Sequence, residues 1–183
     1  MVGYSFFRFG SSCEKKLIKW IIDNIAKTSC IVDIGCGNGS FLKKLHDLGF
    51  KNLTGYDYSQ NAIEFAALKI PDICFKKIDL LEIGEAENFD FIFDKGTFDA
   101  ISLSQNFNNT DCMSKILSKY KKAVGTMLKP KTKFMITSCN WTQNELLTFF
   151  SPEFKLQSTL EHAVFKYGNS TGQDVSTCIF IRD

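Results

Sequence analysis

The 183-residue sequence predicts an α/β protein: a doubly wound sheet of seven mostly parallel strands, helices on both faces, and an antiparallel hairpin of C-terminal strands at one edge. Three observations carry this. Short apolar runs alternate with segments of helical periodicity along most of the chain. A cluster of glycines, "GCGNG" at 35–39, directly follows the first apolar run. The last two strand-like segments have no helical segment between them, so they pair by reversing direction.

Glu14 to Ala26 places Leu17, Ile18, Ile21, Ile22 and Ile25 at helical spacing, with Ser11 and Ser12 as candidate caps. "CIVDIG" (30–35) reads as the first strand, Ser40 to Leu48 as a short helix, "NLTGYD" (52–57) as the second strand, and "SQNAIEFAALKI" from Ser59 as a helix. "ICFKKID" (73–79) is the third strand and "FDFIFD" (89–94) the fourth, apolar enough to lie in the middle of the sheet. Residues 110–128 predict a helix and "KFMITSC" (133–139) a fifth strand. Thr142 followed by Glu145 has capping-box spacing and predicts a helix through Phe150. The last strands fall within 153–165 and at 175–182.

No repeat, low-complexity tract or linker interrupts the chain, which reads as one domain over 1–183. A chain of this size buries roughly 70% of its unfolded surface. A net charge of +2 falls short of the basic surplus of nucleic-acid binders. Seven scattered cysteines without a C-x-x-C pair suggest neither a disulfide framework nor a zinc site. With no signal-peptide pattern and no apolar stretch approaching the ~20 residues that span a bilayer, a soluble, cytoplasmic protein without a membrane partner is expected.

In a sheet wound this way ligands bind beyond the carboxyl ends of the strands, where the strand order reverses. Gly35, Gly37 and Gly39 stand there in a G-x-G-x-G spacing. The dinucleotide fingerprint needs G-x-G-x-x-G, and this sequence has Ser40 at the next position; a phosphate-binding loop needs Gly-Lys-Ser/Thr, which is missing from this loop. Asp57 closes the second strand about twenty residues on, the placement of a carboxylate that accepts from ribose hydroxyls. The helix start after Gly39 contributes about 0.3–1 kcal/mol toward a nearby carboxylate. A ligand with ribose, adenine and a carboxylate but no pyrophosphate matches these parts. The plainer reading remains beside it: tight-turn glycines, Asp33 bracing the loop, and Cys36 packed beneath.

"VDIGCGNG" with Asp33, "GYD" with Asp57 and "IDLL" with Asp79 together resemble the S-adenosylmethionine site of the class I, Rossmann-like methyltransferases. The resemblance implies that S-adenosylmethionine is the cofactor. It implies that Gly35 and Gly37 pass its methionine part, that Asp33 supports them, that Asp57 with Tyr58 takes the ribose, and that Asp79 and Leu80 flank the adenine. "DKGTFDAISL" (94–103) and "ITSCNWT" (136–142) resemble the small single-domain lysine methyltransferases that modify translation elongation factor 1-alpha, with similarity from about Phe9 to the C-terminus. A protein substrate and a lysine acceptor are thereby implied. The likeness departs at the N-terminus, where Ser11 and Ser12 stand in place of two acids and eight residues precede Phe9, so that either the chain is a shortened one or its cofactor cover is built differently.

Methyl transfer from a sulfonium is an in-line displacement by an amine lone pair and requires no metal. The lysine must be neutral, which from a reference pKa near 10.4 costs about 4 kcal/mol at pH 7.4. Desolvation lowers that pKa, and alignment adds effective molarities of ~10⁵ or more. Asp94, at the tip of the fourth strand and so on both the cofactor and the acceptor side, is the candidate that orients the amine; Asn140 offers a carbonyl, and Trp141 or Phe98 a channel wall. The alternatives are that Trp141 is core and Asn140 caps the next helix. Lys95 reads as an ion-pair partner; Asp99 as a helix cap or a substrate-facing acid.

His46 and His162 lack a companion at ligand spacing, so no metal is expected. The lysines of "KILSKYKKAVGTMLKPKTK" read as a solvated helix face and turn rather than an RNA surface, because only Tyr120 interleaves them. A dehydrogenase is disfavoured by the glycine spacing; an RNA or small-molecule methyltransferase and an inactive cofactor-binding module remain rivals. A monomer is expected.

Overall fold

The computed structural model describes residues 9–84, 87–104, 110–162, 164–167, 170–173 and 175–182. The elements run α1 (Ser11–Asn24), β1 (Ile31–Ile34), α2 (Ser40–Asp47), β2 (Leu53–Asp57), α3 (Gln60–Lys69), β3 (Cys74–Lys77) and β4 (Phe89–Lys95). They continue with α4 (Thr97–Ser102), α5 (Thr110–Met127), β5 (Leu128–Ser138), α6 (Gln143–Phe150), β6 (Phe154–Leu160), β7 (Val164–Tyr167), β8 (Ser170–Gln173) and β9 (Ser176–Arg182). Seven strands form one sheet in the order β3-β2-β1-β4-β5-β9-β6, in which β9 alone runs against its neighbours. The chain winds outward from β1 to β3, then returns to lay β4 on the other side of β1. The reversal therefore falls between β1 and β4.

Strand alternation sends side chains to two cores. Val32, Ile34, Phe89 and Ile92 join α5 and α6 in one, with Tyr120, Phe134, Phe150 and Phe180. Ile31, Phe91 and Phe93 join α1 and α2 in the other, with Leu17, Ile21 and Phe41. All four residues of β1 are buried, as a strand covered on both faces requires, and β4 holds the central place in the order. The buried phenylalanines fill these two layers; Phe41 stacks on Phe93 at 4.2 Å, and Phe150 lies against Phe134, Phe154 and Phe180.

Local signals hold at several termini. Ser59 caps α3 by accepting from Ala62 N, and Thr142 and Glu145 make both bonds of the capping box on α6. Thr142 is thus the cap that Asn140 was a candidate for. Three other expectations need correction. Ser11 and Ser12 lie inside α1, whose N-cap is Gly10 without a side-chain bond. β5 begins at Leu128 rather than 133, passing through Lys131 at φ 62, where Thr132 Oγ1 donates to Lys129 O. The C-terminal strands β6 and β9 do pair antiparallel at one edge, but an extra ribbon, β7 with β8, lies between them in sequence. Among the described residues no helix is long and apolar enough to cross a membrane.

Candidate active site at the tips of β1 and β4

The parallel register pairs Asp33 with Phe93 and Ile34 with Asp94, so the glycine turn after β1 and the "DKGT" turn after β4 leave the sheet side by side. Backbone bonds anchor the first turn to β2: Gly35 N and Cys36 N both donate to Tyr56 O. The second turn reaches across to the first, because Thr97 Oγ1 donates to Ile34 O at 2.8 Å.

The three glycines have two different causes. All adopt positive φ, 71° at Gly35, 53° at Gly37 and 72° at Gly39, a region that disfavours any side chain. A Cβ at Gly35 would stand 1.8 Å from Thr97 Oγ1, and one at Gly39 would stand 2.7 Å from the Phe75 ring. A Cβ at Gly37 would meet nothing within 4 Å. Gly35 and Gly39 are therefore small because the protein itself comes close, whereas Gly37 borders open space, as a cradle for a ligand does. Gly35→Ala is expected to cost about 3 kcal/mol through overlap and strain. Gly37→Ala is expected to cost about 1 kcal/mol while weakening adenosyl ligands far more. Thermal unfolding and calorimetry of the two variants separate these outcomes.

Asp57 ends β2 and is buried; its Oδ2 accepts from Gly37 N and its Oδ1 from Ser59 N, both at 2.9 Å. The carboxylate thus fixes the glycine turn and the start of α3 together, and each oxygen retains a lone pair for a further donor. Tyr58 beside it is 76% exposed, its ring open to contact. Asp79 is exposed two residues beyond β3 and holds the turn through Leu81 N, while Leu80 is buried against the α5 side.

Asp33 is buried at the end of β1, yet its carboxylate has no hydrogen-bond partner among the described residues. Among the described residues every side-chain oxygen wholly shut from solvent has a partner, so the Asp33 oxygens keep some contact with solvent. Burial pushes its pKa from the ordinary 3.8 up to about 8, against the pull of the Lys95 ammonium. Such a group fits a cationic ligand atom. An adenosyl ligand carrying an α-amino acid has the required parts: hydroxyls for Asp57, a cation for Asp33, and a narrow stem to pass Gly37.

On the acceptor side the structure shows a buried polar lattice that joins the two motifs. Asp94 has no exposed surface; its Oδ1 accepts from Thr97 N at 2.8 Å and its Oδ2 from Phe98 N at 3.0 Å and from Tyr120 Oη at 2.5 Å. Burial raises its pKa to about 7 despite those donors. Asp94 therefore holds the turn into α4 from beneath rather than standing in the cleft. Asp99, whose role the sequence left open, is equally buried within α4 and neither caps the helix nor faces solvent. It accepts from Ser138 Oγ at 2.5 Å and Cys139 N at 2.8 Å, and Ser138 Oγ in turn accepts from Asn140 N and Trp141 N. Trp141 Nε1 donates to Ser102 Oγ, and the indole packs 5.0 Å from the Phe98 ring. Trp141 is half-buried and Asn140 exposed. The "TFDAIS" and "SCNW" segments are thus one assembly centred on Asp99 and Ser138, which sequence reading missed; the signal was an acid one helical turn from Ser102 and a serine preceding an exposed asparagine.

The ion pair expected of Lys95 does not occur among the described residues; its ammonium lies 5.3 Å from the centroid of the Phe9 ring. His162 is buried away from the glycine turn with Nε2 2.8 Å from Thr177 Oγ1, and burial lowers its pKa. No group of three or more His, Cys, Asp or Glu suited to a metal ion occurs among the described residues.

The raised acids set a sign for pH. Asp33 and Asp94 bind a proton more tightly folded than unfolded, so their contribution to stability is full below about pH 4 and lost as pH rises to about 8 and 7. His162 acts oppositely, losing stability as pH falls through its ordinary value of 6.5. Ligand-free protein is expected to lose stability from about pH 5 to about pH 8 and Asp33→Asn to flatten that slope, measured by denaturant titration at each pH; an unchanged slope in the variant counts against the burial account of Asp33.

A methyltransferase domain family matches residues 25–178. The chain belongs to this methyltransferase family. It is 38% identical to "EEF1A lysine methyltransferase 2" of Homo sapiens over 94% of this chain and 74% of that one. It is 33% identical to "Protein-lysine N-methyltransferase EFM4" of Saccharomyces cerevisiae over 94% of this chain and 80% of that one. Among solved structures, a TehB-like SAM-dependent methyltransferase from Corynebacterium glutamicum superposes with a TM-score of 0.70 at 17% identity, covering 99% of this chain and 90% of that one, which shows the shared fold.

Proposed function

We infer that this chain is an S-adenosylmethionine-dependent protein-lysine N-methyltransferase whose substrate is a lysine of translation elongation factor 1-alpha. One observation carries the reading: relatives named for that activity match 94% of the chain at 33–38% identity. The cleft between the β1 and β4 tips supports it with a cradle at Gly37 and a carboxylate on each side.

When bound, the cofactor supplies a methyl group on a sulfonium, open to displacement by an amine. Asp57 takes the ribose hydroxyls with Tyr58 alongside, Asp33 takes the cofactor's ammonium, and Asp79 and Leu80 border the adenine. Gly35 lets Thr97 close against the turn, so cofactor and acceptor sides are held at one spacing. Asp94 fixes the start of α4, and Asp99 with Ser138 fixes the loop that presents Asn140 and Trp141. Trp141 walls the lysine channel and excludes water, which lowers the amine's pKa; Phe98, expected as a second wall, is instead fully buried and packs against the indole as core. The Asn140 carbonyl accepts an N–H of the incoming amine and turns its lone pair toward the methyl. The displaced proton leaves to solvent before transfer. A cytoplasmic location and a monomeric chain accompany this reading.

The test is methyl incorporation from labelled cofactor into a cell extract. Label that stays with protein after nuclease digestion and dialysis, and that migrates with the elongation factor, is the expected result. Label removed by nuclease or by dialysis shifts the substrate to RNA or to a metabolite.

A further inference from the structure

Lys95 is the one residue of the "DKGT" turn that the contacts above leave without a task. Asp94, Gly96 and Thr97 are each bonded into the scaffold: Asp94 through three donors, Gly96 N to Thr137 O, and Thr97 to Ile34 O. Lys95 makes no ion pair among the described residues, although it is only half exposed at the end of a central strand. A cation so placed loses hydration without gaining a counter-charge, and a weak cation–π contact with Phe9 offsets little of that.

Its position follows from the register. Phe91 and Phe93 face the α1 and α2 core, so Lys95 projects from the same face of β4; Ile31 and Asp33 project from that face of β1. Asp33 pairs with Phe93 and Ile34 with Asp94, so the next step sets Lys95 beside Gly35. The Cα atoms of Asp33 and Lys95 are then about 8 Å apart, one strand spacing across and two residues along. Each feels the other electrostatically without touching, and the Cys13 thiol of α1 feels Lys95 too. A carboxylate without a hydrogen-bond donor and an ammonium without a counter-charge, among the described residues, thus leave the same face of the sheet at neighbouring strand tips. An α-amino acid zwitterion carries the complementary pair of charges.

We propose that Lys95 pairs with the carboxylate at the amino-acid end of the cofactor, opposite Asp33, and so selects carboxylate-bearing adenosyl ligands. This rests on the cofactor reading above. The ammonium of the ligand would also return Asp33 to its charged form, leaving Lys95 free to pair with the ligand instead of opposing the Asp33 shift.

The experiment is a calorimetric cycle that needs no turnover. Wild type, Lys95→Met and Lys95→Gln are titrated with S-adenosylhomocysteine and with its decarboxylated analogue, which keeps the amine and lacks only the carboxylate. Wild type is expected to bind the analogue about tenfold or more weakly, as loss of a charge-assisted bond predicts. Both variants are expected to bind the two ligands alike, near the wild-type affinity for the analogue, which also shows that they are folded. Equal binding of both ligands by wild type, or undiminished discrimination in a variant that binds the analogue normally, overturns the proposal. Wild type that binds neither ligand overturns the cofactor reading itself, a distinct outcome.

Discussion

Asp94→Ala is expected to abolish measurable methyl transfer and to lower stability by about 3–5 kcal/mol, because it strips one buried carboxylate from three donors at once. Thr97 N, Phe98 N and Tyr120 Oη would be left without their acceptor, and the turn into α4 would keep only the Thr97 Oγ1 bond to Ile34 O and the Asp99 bonds farther along the helix. Loss of activity in that variant alone does not separate function from folding. Two milder variants do. Tyr120→Phe removes one donor and is expected to cost about 1 kcal/mol, and Asp94→Asn keeps the shape and part of the bonding. Both are expected to bind S-adenosylhomocysteine within about twofold of wild type while transferring methyl at least about tenfold more slowly, as a displaced acceptor geometry predicts. Wild-type transfer rates in these two variants, measured alongside unfolding curves, would remove the turn into α4 from the acceptor geometry.

The second large effect is expected at Asp99 and Ser138. Asp99→Ala removes the carboxylate that accepts from Ser138 Oγ and Cys139 N, and Ser138→Ala removes the oxygen that accepts from Asn140 N and Trp141 N. Each is expected to cost about 2–3 kcal/mol. The loop that carries Asn140 and Trp141 would then sample other positions, so kcat for the protein substrate should fall at least about tenfold with cofactor affinity unchanged. Steady-state kinetics with calorimetry check this; a change confined to cofactor affinity would place the assembly on the other side of the cleft.

The alternation of apolar and amphipathic segments was legible because each strand and helix of a doubly wound sheet buries its own face, and that face repeats locally. The end of β5 near "ITSC", the cap Thr142 and the central place of β4 all follow from such local patterns. The β7–β8 ribbon was not legible, since "AVFKYGNSTGQD" is short, polar and weakly alternating, and its pairing is decided by where β6 and β9 leave it. The early start of β5 was hidden by Pro130 and the positive φ at Lys131, both of which read as loop.

At the site, the sequence located the glycine turn and Asp57 but could not divide the glycines by cause. The partners of Gly35 and Gly39, Thr97 and Phe75, are far along the chain. Asp94 carried the right location and a different geometry: a strand-end acid can face the cleft or turn inward, and the Thr97 and Phe98 N–H groups together with the distant Tyr120 hydroxyl of α5 turn it inward. Asp99 was unreadable for the same reason, since its partners at Ser138 and Cys139 lie about forty residues away.

The central claim is that the cleft between the β1 and β4 tips delivers a methyl group to a lysine of elongation factor 1-alpha. Peptide mass spectrometry of the purified factor, incubated with this chain and S-adenosylmethionine, tests it most directly. The account predicts methylation confined to lysine side chains of the factor, missing when Asp57 is replaced by Ala. An unmodified factor, in the presence of folded enzyme that binds S-adenosylhomocysteine, would contradict it.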